Sequence, residues 1–383
     1  MIAALDAAAG QPRFVGGCVR DALLDRPVRD IDIATPLRPD EVMAALRRAG
    51  LKSVPTGIAH GTVTAVAHGR PFEVTTLRVD VETDGRHALV SFTDDWQADA
   101  ARRDFTMNAL SADPDGTVHD YFGGVADAWE GRVRFVGDPV QRIEEDVLRL
   151  LRLFRFHAHY GSAPLDPEAL AAVQAYAPRL AGLSGERIRA ELLKLLAAAD
   201  PVPTWRLMIA HGVAVEVLGE PGDVDRLAAL VPLEPAPDPV RRLAALVRHC
   251  NPDALADRLR LSNADRNRLA FLARPPAIAP DLNPADLRRA IYRYGGGGVT
   301  DALLLAAAGD PSEGRYRPLI EAARTTVLPA FPVRGRDLLD LGLSPGQHVG
   351  RILKELERWW IESDFAADRA ACLDEARKRV ARR

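Results

Sequence analysis

The sequence predicts an α/β head followed by a long all-α region, and three observations predict it. Up to about Phe135, β-branched runs alternate with turn residues; from Asp138 onward, Leu, Ala and Arg recur at three- and four-residue spacing; and prolines cluster at 232–239 and 275–284 inside the second part. The 383 residues, 47% of them hydrophobic, are enough for several cores. At roughly 100–200 residues per domain they imply two to four units. Four are expected: a head at 1–135, a helical neck at 136–200, a helical body at 201–325 and a helical tail at 326–383.

The head begins with Phe14-Val15, which reads as a strand end, then Gly16-Gly17-Cys18-Val19-Arg20-Asp21 and a helical start at Ala22, Leu23 and Leu24. Two glycines between strand and helix let backbone N–H groups approach a phosphate, with Arg20 as a cationic fork beside them. Alone, the pair is equally what an ordinary turn looks like. Next comes Arg29-Asp30-Ile31-Asp32-Ile33-Ala34-Thr35. In a strand, residues two apart share a face, so Asp30 and Asp32 are expected to project together while Ile31 and Ile33 pack behind them. Two carboxylates in one place repel unless a divalent cation lies between them. Magnesium suits that role, since it takes one or two carboxylates and completes its shell with water and phosphate oxygens. Two ions about 4 Å apart would activate an attacking hydroxyl and steady a leaving pyrophosphate. Residues 61–79 read as two strands joined near Gly69-Arg70-Pro71, and Glu73 on the second is the candidate third acid; an exposed strand glutamate is the plain alternative.

The helical part opens with Val147, Leu148, Leu151 and Phe154 on one stripe and Ile188, Leu192, Leu195 and Leu196 on another. On one continuous helix Asp146, Arg149, Arg152 and Arg155 share a face at three-residue spacing. Such a face is either a salt-bridged surface or a reader of nucleotide edges. Cytosine shows an amino donor beside an acceptor, as does adenine, so an accepting aspartate and a donating arginine match both and oppose uracil and guanine. Gly295-Gly296-Gly297-Gly298 interrupts the later helices, and Gly342-Leu343-Ser344-Pro345-Gly346 leads into a helix carrying Trp359 and Trp360, of which at least one is expected in a core.

Several classes are excluded. No apolar run approaches the roughly 20 residues of a membrane span, and residues 1–10 lack the basic flank and apolar run of a secretion signal, so a cytoplasmic location is expected. Cys18, Cys250 and Cys372 are too few and too scattered for a disulfide framework or zinc ribbon. There is no P-loop, and His119-Asp120 lacks the further histidines of a metal phosphohydrolase. A net charge of −3 confines any nucleic-acid surface to local patches, such as Arg377-Lys378-Arg379 with Arg382 and Arg383, which also reads as a solvated helix end.

Together these runs resemble the DNA polymerase β-like nucleotidyltransferases and, within them, the class II tRNA CCA-adding enzymes and bacterial poly(A) polymerases. Arg102-Arg103-Asp104-Phe105-Thr106-Met107-Asn108-Ala109 resembles the second family motif, which implies that Asp104 and the arginines hold the ribose and phosphates of a nucleotide. Asp120-Tyr121-Phe122-Gly123-Gly124 with Asp127 resembles the third, Glu145-Asp146-Val147-Leu148-Arg149 onward the fourth, and Glu186-Arg187-Ile188-Arg189 with Glu191 the fifth. The resemblance implies a polymerase β-like mixed sheet with helices, two magnesium ions on Asp30 and Asp32, CTP and ATP as substrates and tRNA as partner. Residues 78–99 correspond to the loop that family members use in switching from C to A. Val147 after Asp146, where poly(A) polymerases tend to carry proline, and an end soon after Arg377 favour CCA addition over poly(A) or A-only addition. A non-catalytic RNA-binding protein and a small-molecule nucleotidyltransferase are the rivals, opposed respectively by the intact acid pair and by the length of the helical region.

Overall fold

In the computed structural model, residues 1–83, 88–247, 251–275, 279–310 and 312–381 are described. Cys250, Arg382 and Arg383, and residues 84–87 of the expected switching loop, lie outside them. The chain packs as two compact units, Met1–Val224 with Pro237–Arg266, and Asp225–Ala236 with Asn267–Arg383.

The first unit is built on a seven-stranded mixed sheet. Its strands are β1 (Arg13–Val15), β2 (Asp32–Thr35), β3 (Lys52–Gly57), β4 (Thr62–Ala67), β5 (Arg70–Thr76), β8 (Leu110–Ala112) and β9 (Val118–Asp120), in the order β3-β4-β5-β2-β1-β8-β9, while β6 (Arg78–Thr83) and β7 (Ala88–Phe92) pair as a separate ribbon. The two strands expected in 61–79 are β4 and β5, and they turn through His68 and Gly69, both at positive φ (51° and 75°). That is the backbone twist a two-residue hairpin requires. β2 and β5 are the parallel pair, so the chain between them must cross over; it does so through a helix over Pro39–Arg48 and the β3–β4 hairpin. Ile33 and Val74 sit opposite one another and are fully buried with Val42, Leu46 and Leu5, all three from the helices Pro39–Arg48 and Ile2–Asp6 that cover this face. The alternation then commits Asp32 and Glu73 to the opposite face.

Of the helices in this part of the unit, five frame the site: α1 (Gly17–Leu23) after β1, α2 (Trp96–Ala101), α3 (Pro139–Glu145), α4 (Leu148–Tyr160) and α5 (Gly185–Leu196). The apolar stripes read from sequence are buried between α4 and α5: Leu151 and Phe154 on one, Ile188, Leu192, Leu195 and Leu196 on the other. Phe105 packs in tilted contact against both Phe135 and Phe156, with ring centroids 5.0 Å apart in each pair, which fastens α4 to the head. One expectation is corrected here. Asp146 is not on a helix shared with Arg149: α3 stops at Glu145, Asp146 is extended (φ −156°, ψ 106°), and α4 starts at Leu148.

In the second unit the helix Pro284–Ala307 kinks at Gly295, whose φ of 75° and ψ of 152° no helix allows. A separate cluster forms around Trp360, 1% exposed, with Ile352, Leu356, Cys372 and Ala376; Trp359 is only half-buried. Arg377 and Lys378 pair with Asp374 and Glu375 on their own helix, and Arg379 pairs with Glu375 and Glu355, so every cation in the described part of the C-terminal basic run has an acidic partner. No helix among the described residues is long and apolar enough to cross a membrane.

Candidate active site

The turn after β1 is shaped by Gly16, at φ +74°, where a Cβ would stand 2.7 Å from Arg103 Nη1. Only glycine combines that backbone with that approach. Arg20, one turn into α1, is buried at 6% exposure, and its guanidinium donates to Asn108 Oδ1 at 2.5 Å and Tyr160 Oη at 2.7 Å. It is therefore fixed in place.

Asp32 opens β2 and is paired in register with Glu73 of β5. Asp30 precedes the strand, so the expected packing of Ile31 behind the acids does not occur: Ile31 is 37% exposed at an apolar hollow, whereas Ile33 is fully buried. Partial burial, then Glu73, and to a lesser degree Asp30, push the Asp32 carboxyl above its ordinary range, against a smaller opposing pull from Arg103. An acid held this way gains from a cation. Among the described residues no three of His, Cys, Asp and Glu form a ready-made ligand group. The donor set therefore fits an ion that takes two carboxylates and fills its shell with water and phosphate oxygens.

Beside the acids lies a cavity of about 530 Å3. Of the residues expected to hold a nucleotide, Gly16, Gly17, Arg20, Arg103, Asp104, Asp146, Arg149 and Arg152 line it; Arg155 does not. Arg155 and the acid pair instead line an adjoining cavity of about 580 Å3, which shares Gly17, Arg20 and Phe156 with the first. Glu73 is in neither wall. Asn108 and Arg187 also line the first cavity, although sequence reasoning gave them no role beyond membership of a motif.

Each charged group in this wall has a partner. Burial works against the Asp104 carboxylate, but Arg152, Asn108 and the Phe105 N–H outweigh it and hold its pKa below the usual range. The bonds are Arg152 Nε at 2.7 Å with a second, shorter contact from Nη2, Asn108 Nδ2 at 3.1 Å and Phe105 N–H at 2.9 Å. Asp146 accepts from Arg187 Nη2 on both oxygens, at 2.7 and 2.9 Å, and from the Leu148 N–H at 3.1 Å. Arg149 is held by Glu145 and by the carbonyls of Arg142 (3.2 Å) and Arg102 (3.3 Å). Arg155 contacts the buried Glu191 of α5 at 2.6 Å. With five arginines against two carboxylates, the first cavity is an anion site by composition.

Comparison with known proteins carries this site to a family. Residues 12–134 match the poly A polymerase head domain, and residues 164–221 match the probable RNA and SrmB-binding site of polymerase A. Over 372 residues the chain is 38% identical to the mitochondrial CCA tRNA nucleotidyltransferase 1 of Danio rerio, covering 92% of this chain and 84% of that one. It is 34% identical to the CCA-adding enzyme of Levilactobacillus brevis, covering 90% and 88% of the two chains. The crystal structure of the Bacillus stearothermophilus CCA-adding enzyme in complex with CTP superposes with a TM-score of 0.80 at 28% identity, covering 99% of this chain and 96% of that one. Similarity of this extent runs through both units and not through the head alone, and the chain belongs to the family of CCA-adding tRNA nucleotidyltransferases.

Proposed function

We propose that this protein adds C and then A to the 3′ end of tRNA from CTP and ATP without a nucleic-acid template. One observation carries the reading: the cavity beside the acid pair presents an aspartate acceptor and an arginine donor, each held by other side chains. Asp146 has three of about four lone-pair sites filled, and Arg149 makes three hydrogen bonds with five N–H groups to offer, so both keep capacity for a ligand. Asp146 accepts the amino group of cytosine or adenine, and Arg149 donates to the neighbouring ring nitrogen. Uracil and guanine present the reverse order and are refused.

The rest of the wall serves the triphosphate. The Gly16-Gly17 turn lets the chain approach the phosphates closely, Arg20 and Arg103 offset their charge, and Asp104 stands near the ribose, where it exchanges one of its four present hydrogen bonds for a hydroxyl. Asp30 and Asp32, with Glu73 beside them, hold divalent cations; we assign two magnesium ions, which supply charge stabilisation for the hydroxyl and the pyrophosphate. The acceptor 3′-oxygen forms a bond to the α-phosphorus as the bond from that phosphorus to the bridging oxygen breaks. Pyrophosphate leaves, and the hydroxyl proton passes to solvent. Residues 1–135 perform the transfer, 136–200 read the base, and 201–325 and 326–383 position the tRNA.

The test uses tRNA ending before its CCA and each labelled nucleotide singly, then in pairs. C should enter alone, A should follow only after C, and U and G should not enter. A long A tract, or A without C, overturns the reading.

A further inference from the structure

The two adjoining cavities divide the chemistry unevenly. Asp30 and Asp32 line the larger one and are absent from the wall of the smaller, which carries the base-reading pair. In nucleotidyl transfer the attacking hydroxyl and the leaving group stand in line on opposite sides of the phosphorus, so a second substrate must reach the acids from the side away from the triphosphate. The larger cavity offers that approach. Its wall also carries the loop after α1, with Arg26 and Arg29, and the last turn of α5, with Lys194. Arg26 is engaged: it donates to the His159 carbonyl at 2.8 Å and lies 4.5 Å over the Tyr160 ring. Arg29 and Lys194 are exposed, and neither side chain forms an ion pair with any acid among the described residues. These two cations line a cavity that is also lined by Asp21, Asp30 and Asp32, so one cavity offers acids and exposed cations together.

We infer that this second cavity receives the last nucleotide of the acceptor strand, with its 3′-hydroxyl toward Asp30 and Asp32 and its phosphodiester between Arg29 and Lys194. The inference rests on the proposed function and adds to it the place where the acceptor end is held. The wall shared by the cavities, Gly17, Arg20 and Phe156, is then where the two substrates meet. Backbone contact of this kind carries no sequence information, which suits a site that must hold ends of different sequence as the strand grows.

The test compares the full-length protein with Arg29→Met, Lys194→Met and the double variant, measuring incorporation of one C onto tRNA lacking its CCA across a salt series. Each single variant should raise KM for tRNA and leave KM for CTP unchanged. The double variant should also flatten the plot of log kcat/KM for tRNA against log salt by about 0.7, the contribution of one phosphate contact on a single strand. Lys194→Arg should restore both quantities. Unchanged tRNA KM and salt slope in the double variant, with wild-type turnover, overturn the acceptor site while leaving the function intact. A shift confined to product inhibition by added pyrophosphate also overturns it, because the cavity would then hold the leaving group. A wild type that adds neither C nor A is the distinct result that removes the function itself, and this inference with it.

Discussion

Asp104 and Arg152 test whether the cavity wall acts as one electrostatic unit. The carboxylate is 7% exposed and takes four hydrogen bonds, two of them from Arg152. In Asp104→Asn the amide still accepts from Phe105 and Asn108 but turns a donor toward the guanidinium. Breaking a fully buried pair costs about 3–5 kcal/mol. The Arg152 side chain is 32% exposed, and hydration of the stranded cation recovers part of that loss. We therefore expect about 2–3 kcal/mol for Asp104→Asn, a similar loss for Arg152→Met, and no more than either single loss for the two together. Urea unfolding at a common slope measures all three. The pH dependence has a definite sign. The folded-state pKa of Asp104 is depressed, so its contribution is present above the unfolded carboxylate value of about 3.9 and is lost as pH falls through the lower folded value. Asp104→Asn should remove that acid-side loss. If the double variant's destabilisation equals the sum of the single ones to within about 0.5 kcal/mol, the two residues are not coupled and the argument fails.

Asp32→Ala should abolish incorporation yet leave the unfolding midpoint unchanged or slightly higher, because like charges directly opposite on neighbouring strands cost about 0.2–1 kcal/mol; clear destabilisation, or retained turnover, contradicts this. Gly16→Ala places a Cβ against Arg103 at a left-handed backbone position, so stability should fall by about 1–2 kcal/mol and KM for CTP should rise. An unchanged KM would separate the turn from the phosphates. Arg187→Met leaves Asp146 free to turn, and discrimination of CTP against UTP, read as a ratio of kcat/KM, should drop about tenfold, the worth of one oriented charged hydrogen bond. Equal discrimination in variant and wild type would show that Arg187 does not orient the acceptor.

Much of the head was legible because strand alternation and glycine turns are local. Asp32, Ile33 and the β4–β5 hairpin follow from residues within a few positions of one another. Ile31 departs from expectation because β2 begins at Asp32, two residues later than the alternation from Asp30 suggests. The helix break at Asp146 was hidden for a similar reason: one extended residue barely disturbs the apolar spacing on either side of it. The adjacency of Glu73 to Asp32, and the partners of Asp146 and Arg155, join elements roughly 40 residues apart, and no periodicity reports such pairings. Arg187 and Asn108 lay in plain view within recognised motifs, but only the cavity shows what they face.

The in-register placement of Asp32 and Glu73 on parallel strands works as a ruler. The separation of their backbones is set by the sheet's own repeat, about 4.8 Å, and does not depend on how loops or neighbouring side chains settle. Repacking around the two strands cannot retune that distance gradually. Exchanging Asp for Glu alters only the reach of the side chain, and changing which residues stand opposite takes a slip of a whole residue, which would turn Val74 outward and bury the acid.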